Sequence, residues 1–375
     1  MFVVSNTRTN YLLNVGKFLP DYTAQQYRKN HLQTRSHENL KSHNCEDSNL
    51  HTCHRENLKS HKRFKKTGGE GVDKSNCEFS LDDFWLKLRV SSKYISNEVT
   101  KLCLAFSKSP LPGVTQTHEM LRTLETAYLE VLSTFYTLPK SCGLVLRKEV
   151  NMAVLQIVES LITVVMSLQE EGDKAQKDRL MLTGRVWDAC EAIEGLPQNN
   201  LQVTCKIIQR EDGLVLDALQ EIEEEVAAEQ SGNGLRTEEE EEEDNSMTWS
   251  NQDRELLFPC MGLVKTARSS FKRIGAVLQI KGKFETEEQI SQLDDLVSKS
   301  VEISPAVDDM VSCMYPPMNK DAVRSAAAVL KTRVEALLHM VKQSHYATEE
   351  DIGWIEFLLK AVAHNNNKLL PLLNS

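Results

Sequence analysis

The chain has 375 residues, of which 41% are hydrophobic and 26% are charged, and its formal net charge at pH 7 is −10. This acidic balance argues against a protein that holds nucleic acid through phosphate contacts alone, because such binding needs a basic surface. No run of 18 consecutive apolar residues occurs, so the sequence predicts no transmembrane helix. The scarcity of proline, with 10 residues, and glycine, with 16, favours an all-α protein over a β-sandwich or barrel.

Residues 1–79 differ from the rest of the chain. They hold 13 Lys or Arg residues against 8 Asp or Glu residues, together with six of the ten histidines. A hexapeptide, Glu38–His43, recurs as Glu56–His61. No apolar period is sustained here, and a polar segment of this kind cannot offset the entropy lost on ordering. We therefore predict a disordered, basic, His-rich leader over residues 1–79.

A group of potential zinc ligands lies in this leader, namely His43, Cys45, His51, Cys53 and His54. Histidine and cysteine are the common ligands of structural zinc, but this spacing matches no zinc finger. The alternatives are a zinc site and a disordered tail with a short duplication, and the spacing favours the tail.

A basic cluster follows, formed by Lys62, Arg63, Lys65 and Lys66. Clusters of this kind serve as nuclear-import signals or as charged linkers. We treat these four residues as a candidate nuclear-import patch.

From Ser80 onward, apolar residues recur with the spacing of amphipathic helices. Ser80 and Asp83 predict a capping box at the start of the first helix. The apolar face of this helix is predicted to consist of Leu81, Trp85, Leu88, Ile95, Val99, Leu102 and Phe106. The fourth helix is predicted to bury Leu180, Trp187, Cys190 and Ile193. Five helices joined by short connections predict an antiparallel bundle over residues 80–228.

Residues 229–249 have the composition of a flexible acidic linker. Ser231–Gly234 is rich in helix breakers, and Glu238–Asp244 is an unbroken run of seven acidic residues whose charges repel one another. Thr237 precedes this run and is a candidate phosphosite for an acidophilic kinase. The alternative is an unmodified linker threonine.

Four further helical patterns follow, over about 251–279, 285–314, 319–343 and 348–372. Pro259 is expected to kink the first of them, and Ser304–Pro305 to bend the second. We predict a four-helix bundle over residues 250–375. The fold class is therefore all-α, with two antiparallel helical bundles.

The sequence contains no catalytic constellation, and we expect no catalytic, cofactor-binding or metal site. Phosphate-binding loops and the common hydrolase motifs are absent. The pairs Asp294–Asp295 and Asp308–Asp309 are interpreted as solvated charge, since adjacent helical residues point in different directions. The nine cysteines contain no CxxC pair, which predicts reduced thiols in a cytosolic or nuclear protein. An interaction protein is the remaining class.

An ordered series of short blocks over residues 80–375 resembles one known family. The blocks include Phe84–Leu88, Phe106–Pro112, Leu138–Lys140, Ser250–Asp253, Gln292–Asp295, Ile303–Pro305 and Tyr315–Met318. The series resembles the family of cyclin-D-binding protein one, also called the human homologue of Maid. The chain would be a fish or other vertebrate member with an atypical N-terminal leader.

The resemblance implies a non-enzymatic cell-cycle regulator with no cofactor. Its five-helix bundle would resemble those of vinculin, talin and α-catenin. It would bind a D-type cyclin with its kinase and restrain phosphorylation of the retinoblastoma protein. It would also antagonise basic helix-loop-helix transcription factors in the manner of Id proteins, without direct contact to nucleic acid or membrane. Family members occur in the cytoplasm and nucleus. The alternative, from the bundle alone, is a vinculin-like cytoskeletal or adhesion adaptor, and the partner-binding residues stay unknown.

Overall fold

The computed structural model describes residues 79–168, 173–232 and 248–374. These residues form ten α-helices and contain no strand, which confirms the predicted all-α class. The helices are α1 Leu81–Ala105, α2 Val114–Thr137, α3 Leu144–Ser167, α4 Asp173–Ala192, α5 Asn200–Gly232, α6 Asn251–Lys281, α7 Glu287–Ser300, α8 Ile303–Ser312, α9 Lys320–Lys342 and α10 Glu349–Asn374. The Cys and His cluster at residues 43–54, which the sequence left as an alternative zinc site, the basic cluster at residues 62–66 and Thr237 all lie outside the described residues.

The first four helices enclose one hydrophobic core. The α1 helix begins where predicted, because the side-chain oxygen of Ser80 accepts a 3.2 Å hydrogen bond from the amide of Asp83. Six of the seven residues predicted for the apolar face of α1 are buried, and Leu81 is half-buried. The α4 helix returns alongside α1 in the opposite direction, so that Lys93 lies 2.7 Å from Glu194.

The predicted apolar face of α4 is wrong at two positions. Leu180 and Trp187 are exposed, by 60% and 46%. The buried row instead runs through Arg179, Thr183, Val186, Cys190 and Ile193. These residues recur at steps of three and four, so they share one face of the helix. The sequence pattern misled because the row begins with an arginine, a residue type that is seldom buried.

The α5 helix contributes to both halves of the protein, the first half being α1–α4 and the second half α6–α10. Near its start, Val203 and Ile207 belong to the core enclosed by α1–α4. From Ile208 onward its buried side chains, among them Val215 and Ile222, belong to a second core that is completed by α6–α10. The division between the two cores therefore falls within α5. The predicted domain boundaries at 228 and 250 stay a prediction.

The single helix predicted over 285–314 is two helices, α7 and α8, separated at Val301 and Glu302. Pro305 explains the break. A proline ring clashes with the carbonyl group four residues earlier, which here belongs to Val301, and proline has no amide hydrogen to bond to it. Pro305 is instead the third residue of α8, within the first turn, where amide donors have no partner inside the helix.

Trp249 fixes the chain just before α6. Its side chain is 6% exposed. Its indole Nε1 donates a 2.7 Å hydrogen bond to the carbonyl oxygen of Met314. Its backbone amide donates to Oε1 of Glu229, near the end of α5. The two sides of the segment 233–247 are thereby tied to the same core.

The α3 helix is long and apolar enough to cross a membrane by length and composition alone. In this protein it is a core helix, since Val150, Val154 and Ile157 are all buried. Polar residues such as Arg147 and Glu149 interrupt it near its start.

The two halves are joined at the start of α3. Its first residue is preceded by Gly143, whose φ of 113° suits glycine and which supplies no capping side chain. Asn200 and Asp294 supply the cap from other helices. Asn200 Oδ1 accepts from the amide of Leu146 at 3.1 Å, and Asn200 Nδ2 donates to Asp294 Oδ1 at 3.0 Å. The interpretation of Asp294 as merely solvated charge was therefore wrong.

Candidate interaction site

One end of the first half lies away from the joint with the second. The end of α1, the start of α2, the end of α3 and the start of α4 all meet there. The loop 106–113 crosses this end and connects α1 to α2. Arg179 of α4 is 8% exposed, and its Nη1 donates a 2.9 Å hydrogen bond to the carbonyl oxygen of Phe106. This contact holds the loop against α4.

Large apolar side chains are exposed at this end. We call the group the distal patch, and it consists of Leu104, Leu111, Val114, Leu180 and Met181, each more than half exposed. Isolated exposed apolar residues are normal on protein surfaces. Large exposed apolar surfaces mark interaction sites, and this group is our candidate for one. Covering one leucine of this kind would contribute about 1.5–3 kcal/mol.

A small, shallow cavity lies beside the distal patch, and its one thiol is not reactive. It is lined by Cys103, Phe106, Ser107, Arg179 and Leu180. Burial raises the pKa of the Cys103 thiol, and the hydrogen bond with Thr183 opposes this only in part. A thiol with a raised pKa is a poor nucleophile. Cys103 is therefore not suited to covalent chemistry.

The distal patch has charged residues of both signs beside it, since Lys177 and Asp178 precede Leu180 in α4. Lys108 is exposed in the loop, and Gly113, the residue before α2, supplies no capping side chain. The first turn of α2 carries no acidic residue. The start of a helix has a partial positive charge, so the start of α2 adds to the positive charge of Lys108 in the loop.

A second surface, on α5 and α8, is strongly acidic. Desolvation raises the pKa of Asp308, and the neighbouring charges of Asp309, Glu211 and Glu221 add to this. The hydroxyl of Tyr315 donates a 2.8 Å hydrogen bond to Glu221. Within residues 79–168, 173–232 and 248–374, no group of three or more His, Cys, Asp or Glu side chains is placed to hold a metal ion. The acidic surface offers charge and no metal-binding geometry.

The cysteines in the described ranges are all free thiols. Cys103, Cys190 and Cys260 are buried, as predicted for structural thiols, whereas Cys142, Cys205 and Cys313 are half-buried. Burial is the main reason why the pKa of Cys260 rises to about 12.

Comparison with known proteins decides the family. The N-terminal model of the Grap2 and cyclin-D-interacting family matches residues 87–228, and the C-terminal model matches residues 235–339. The chain belongs to this family. The first match includes the distal patch and almost all of α5, whereas the second ends within α9.

Relatives from three vertebrates cover most of the chain. A protein of Danio rerio named cyclin-D1-binding protein 1 homolog is 34% identical over 313 residues, which are 82% of this chain and 91% of the relative. The homolog from Xenopus laevis is 36% identical over 303 residues, covering 80% of this chain and 92% of its own length. Cyclin-D1-binding protein 1 of Homo sapiens is 30% identical over 314 residues, covering 80% and 86%. The resemblance inferred from the ordered sequence blocks is thus confirmed.

The sequence pattern did not identify the distal patch. Leu104 follows a buried cysteine, Leu111 lies between two prolines, and Leu180 was assigned to the core. One signal was present in the sequence. Leu180 and Met181 are adjacent, and adjacent helical residues differ by about 100° in direction, so a helix with one narrow buried face cannot bury both.

Proposed function

We propose that this protein is a non-enzymatic regulator that binds a D-type cyclin together with its kinase. Membership of the Grap2 and cyclin-D-interacting family carries the proposal. The names of the relatives, which describe cyclin-D1 binding, support it. Binding would restrain the phosphorylation of the retinoblastoma protein by that kinase. The protein would act in the cytoplasm and nucleus.

The distal patch is the surface proposed to contact the cyclin complex. Its leucines are exposed to water, and an apolar partner surface would release that water. A few central residues supply most of the binding free energy in protein interfaces. Leu111 and Leu180 are the best candidates, because the first lies in the loop and the second borders the cavity.

The test is a calorimetric titration of the full chain against a purified complex of a D-type cyclin and its kinase. The double variant Leu111→Ser and Leu180→Ser should bind at least tenfold more weakly, because loss of two interface leucines costs more than about 1.4 kcal/mol. The control variant carries Phe258→Ser and Ile280→Ser, two side chains of the second half that are about 80% exposed. Its affinity should equal that of the unmodified protein.

The outcomes distinguish a wrong function from a wrong binding surface. If the unmodified protein does not bind the complex saturably, cyclin binding is refuted. If it binds and the distal-patch variant binds equally well, the surface is wrong and the function stands. An assay of retinoblastoma phosphorylation with increasing amounts of this protein tests the restraint of the kinase, which should follow the binding curve.

The proposal does not extend to basic helix-loop-helix factors or to a cytoskeletal role. The helix pair around Gly195–Pro197 would have to separate in order to dimerise with a transcription factor. Its apolar residues, including Ile193 and Val203, are fully buried. Exposing several such side chains costs about 1.5–3 kcal/mol each. The likeness to vinculin concerns the fold class alone, and fold does not determine function.

A further inference from the structure

The sequence contains two serines that are followed directly by proline, and no threonine that is. They are Ser109, before Pro110, and Ser304, before Pro305. Proline-directed kinases select a hydroxyl residue by the proline that follows it and bind the acceptor segment in an extended form outside any helix. By sequence alone the two serines are equivalent substrates.

The structure places Ser109 where a kinase has access to it. Ser109 lies in the loop 106–113 between α1 and α2, outside any helix. The residues Lys108 to Leu111 are all exposed. Exposed loops that connect rigid elements are common sites of modification, since the segment can adapt to an enzyme without unfolding its neighbours.

Ser304, in contrast, is buried and lies within a helix. It is 6% exposed and lies in the first turn of α8. Its hydroxyl donates a 2.6 Å hydrogen bond to Oε2 of Glu211, which is itself 2% exposed. A kinase would have to unwind α8 and separate it from α5 to reach this hydroxyl. The fold therefore distinguishes two dipeptides that the sequence does not.

We propose that Ser109 is the phosphoacceptor of a proline-directed kinase that uses ATP and magnesium. The serine oxygen attacks the γ-phosphorus of ATP, the bond from that phosphorus to the bridging oxygen breaks, and ADP leaves. The hydroxyl proton passes to the basic group of the kinase. The product is a phosphoserine with a charge of about −1.5 to −2 at neutral pH.

The phosphate would lie next to the distal patch. Ser109 is two residues before Leu111 and five before Val114. Lys108 and the uncapped start of α2 are positive neighbours, so the fold tolerates the added charge. An apolar partner surface, in contrast, would have to desolvate a dianion, which is costly. Phosphorylation would therefore weaken docking at the distal patch, a consequence that rests on the proposed function.

The first experiment concerns the modification alone. The folded full chain is incubated with ATP and a purified proline-directed kinase, such as a mitogen-activated or mitotic cyclin-dependent kinase, and the sites are mapped by mass spectrometry. Phosphate is expected on Ser109 and not on Ser304. Synthetic peptides spanning residues 102–116 and 297–311 serve as controls, and both should be phosphorylated because neither is protected by the fold.

Two variants make the assignment falsifiable. Ser109→Ala should abolish incorporation at proline-directed sites, and Ser304→Ala should leave it unchanged. Should Ser304→Ala fail to fold, the peptide comparison still separates the two serines. Phosphate on Ser304 of the folded chain, or a Ser109 that stays unmodified, would overturn the proposal.

The second experiment concerns the consequence. The stoichiometrically phosphorylated chain and the variant Ser109→Glu are titrated against the complex of D-type cyclin and kinase. We expect the phosphorylated chain to bind about tenfold more weakly, and the glutamate variant to be intermediate because it carries less charge. Unchanged affinity would overturn the consequence while the acceptor assignment stands. Failure of the unmodified chain to bind would count against the proposed function instead.

Discussion

The carboxylate of Asp294, in α7, accepts a 2.8 Å hydrogen bond from the backbone amide of Leu144, the first residue of α3. The other oxygen of the same carboxylate accepts from the amide of Val145 at 3.1 Å. A helix start leaves four amide donors without partners, and a carboxylate also suits its partial positive charge. One half of the protein thus caps a central helix of the other half.

Replacement of Asp294 by alanine should destabilise the protein by about 1–2 kcal/mol, the usual cost of losing a capping side chain. The loss should lie at the upper end of this range or above it, because Asn200 loses a hydrogen-bond acceptor at the same time. Asp295, the next residue, is exposed and provides a matched control. Asp295→Ala should change the free energy of unfolding by less than about 0.5 kcal/mol. Urea denaturation measures both, and equal effects of the two variants would refute the cap.

Gly143→Ala should destabilise the protein by more than about 1 kcal/mol, since alanine is strained at positive φ. A methyl group there would also lie 2.2 Å from Cγ of Asn200, so Asn200 would have to leave its place. Gly184→Ala is the control, because Gly184 lies within α4 with nothing within 4 Å of the added carbon. That change should stabilise the protein by about 0.5–1 kcal/mol. Thermal unfolding should shift in opposite directions for the two variants.

Trp249→Phe should lower the free energy of unfolding by about 1–3 kcal/mol. The change removes the indole donor, leaves the buried carbonyl oxygen of Met314 without it, and opens space in the core. Trp187→Phe is the matched control, since Trp187 is half-exposed and its hydrogen bond to Thr100 lies at the surface. Its effect should stay below about 0.5 kcal/mol. If the two variants unfold at the same urea concentration, Trp249 does not anchor the start of α6.

The stability of the protein should fall as the pH drops below about 6.5, partly because of His345. Its Nε2 accepts from the amide of Lys283, and its Nδ1 lies 2.8 Å from Oε1 of Gln292. Desolvation is the main cause that lowers the pKa of His345. The unfolded chain therefore takes up a proton at a higher pH than the folded chain does. Stability is fully present above the unfolded pKa and decreases as the pH falls toward the folded one.

The measurement is the urea midpoint between pH 8 and pH 5 for the protein and for His345→Gln. The variant should show a shallower loss of stability over this range, because it lacks the titrating group. His339→Gln, at an exposed position near the end of α9, should retain the original slope. An unchanged slope in His345→Gln would show that other groups cause the pH dependence.

Much of the fold was predictable because the apolar period along each helix is strong. The start of α1 at Ser80 and the end of α4 before Leu196 and Pro197 follow from residues that act locally. The distal patch and the role of Asp294 were not predictable in this way. Both depend on which residues from distant segments meet, and periodicity within one helix carries no such information. Leu180 is an example. It is apolar and lies in a periodic segment, yet it is exposed because Arg179 occupies the buried row of α4.

The same limit applies to function. The ordered blocks indicated the family, and the family comparison confirmed it. The residues that would contact a partner had to be found from exposure in the folded chain.

The division of α5 between two cores bears on how this protein can be cut into pieces. A fragment that ends at 228 would retain the apolar face formed by Ile208, Val215, Leu219 and Ile222 while losing the helices that cover it. A fragment that begins at 250 would lack the same four side chains and have an open core. Each piece would be prone to aggregate, and a failure of either to bind a partner would carry no information about where the partner docks. Point variants of the intact chain are therefore the appropriate means of locating its binding surface.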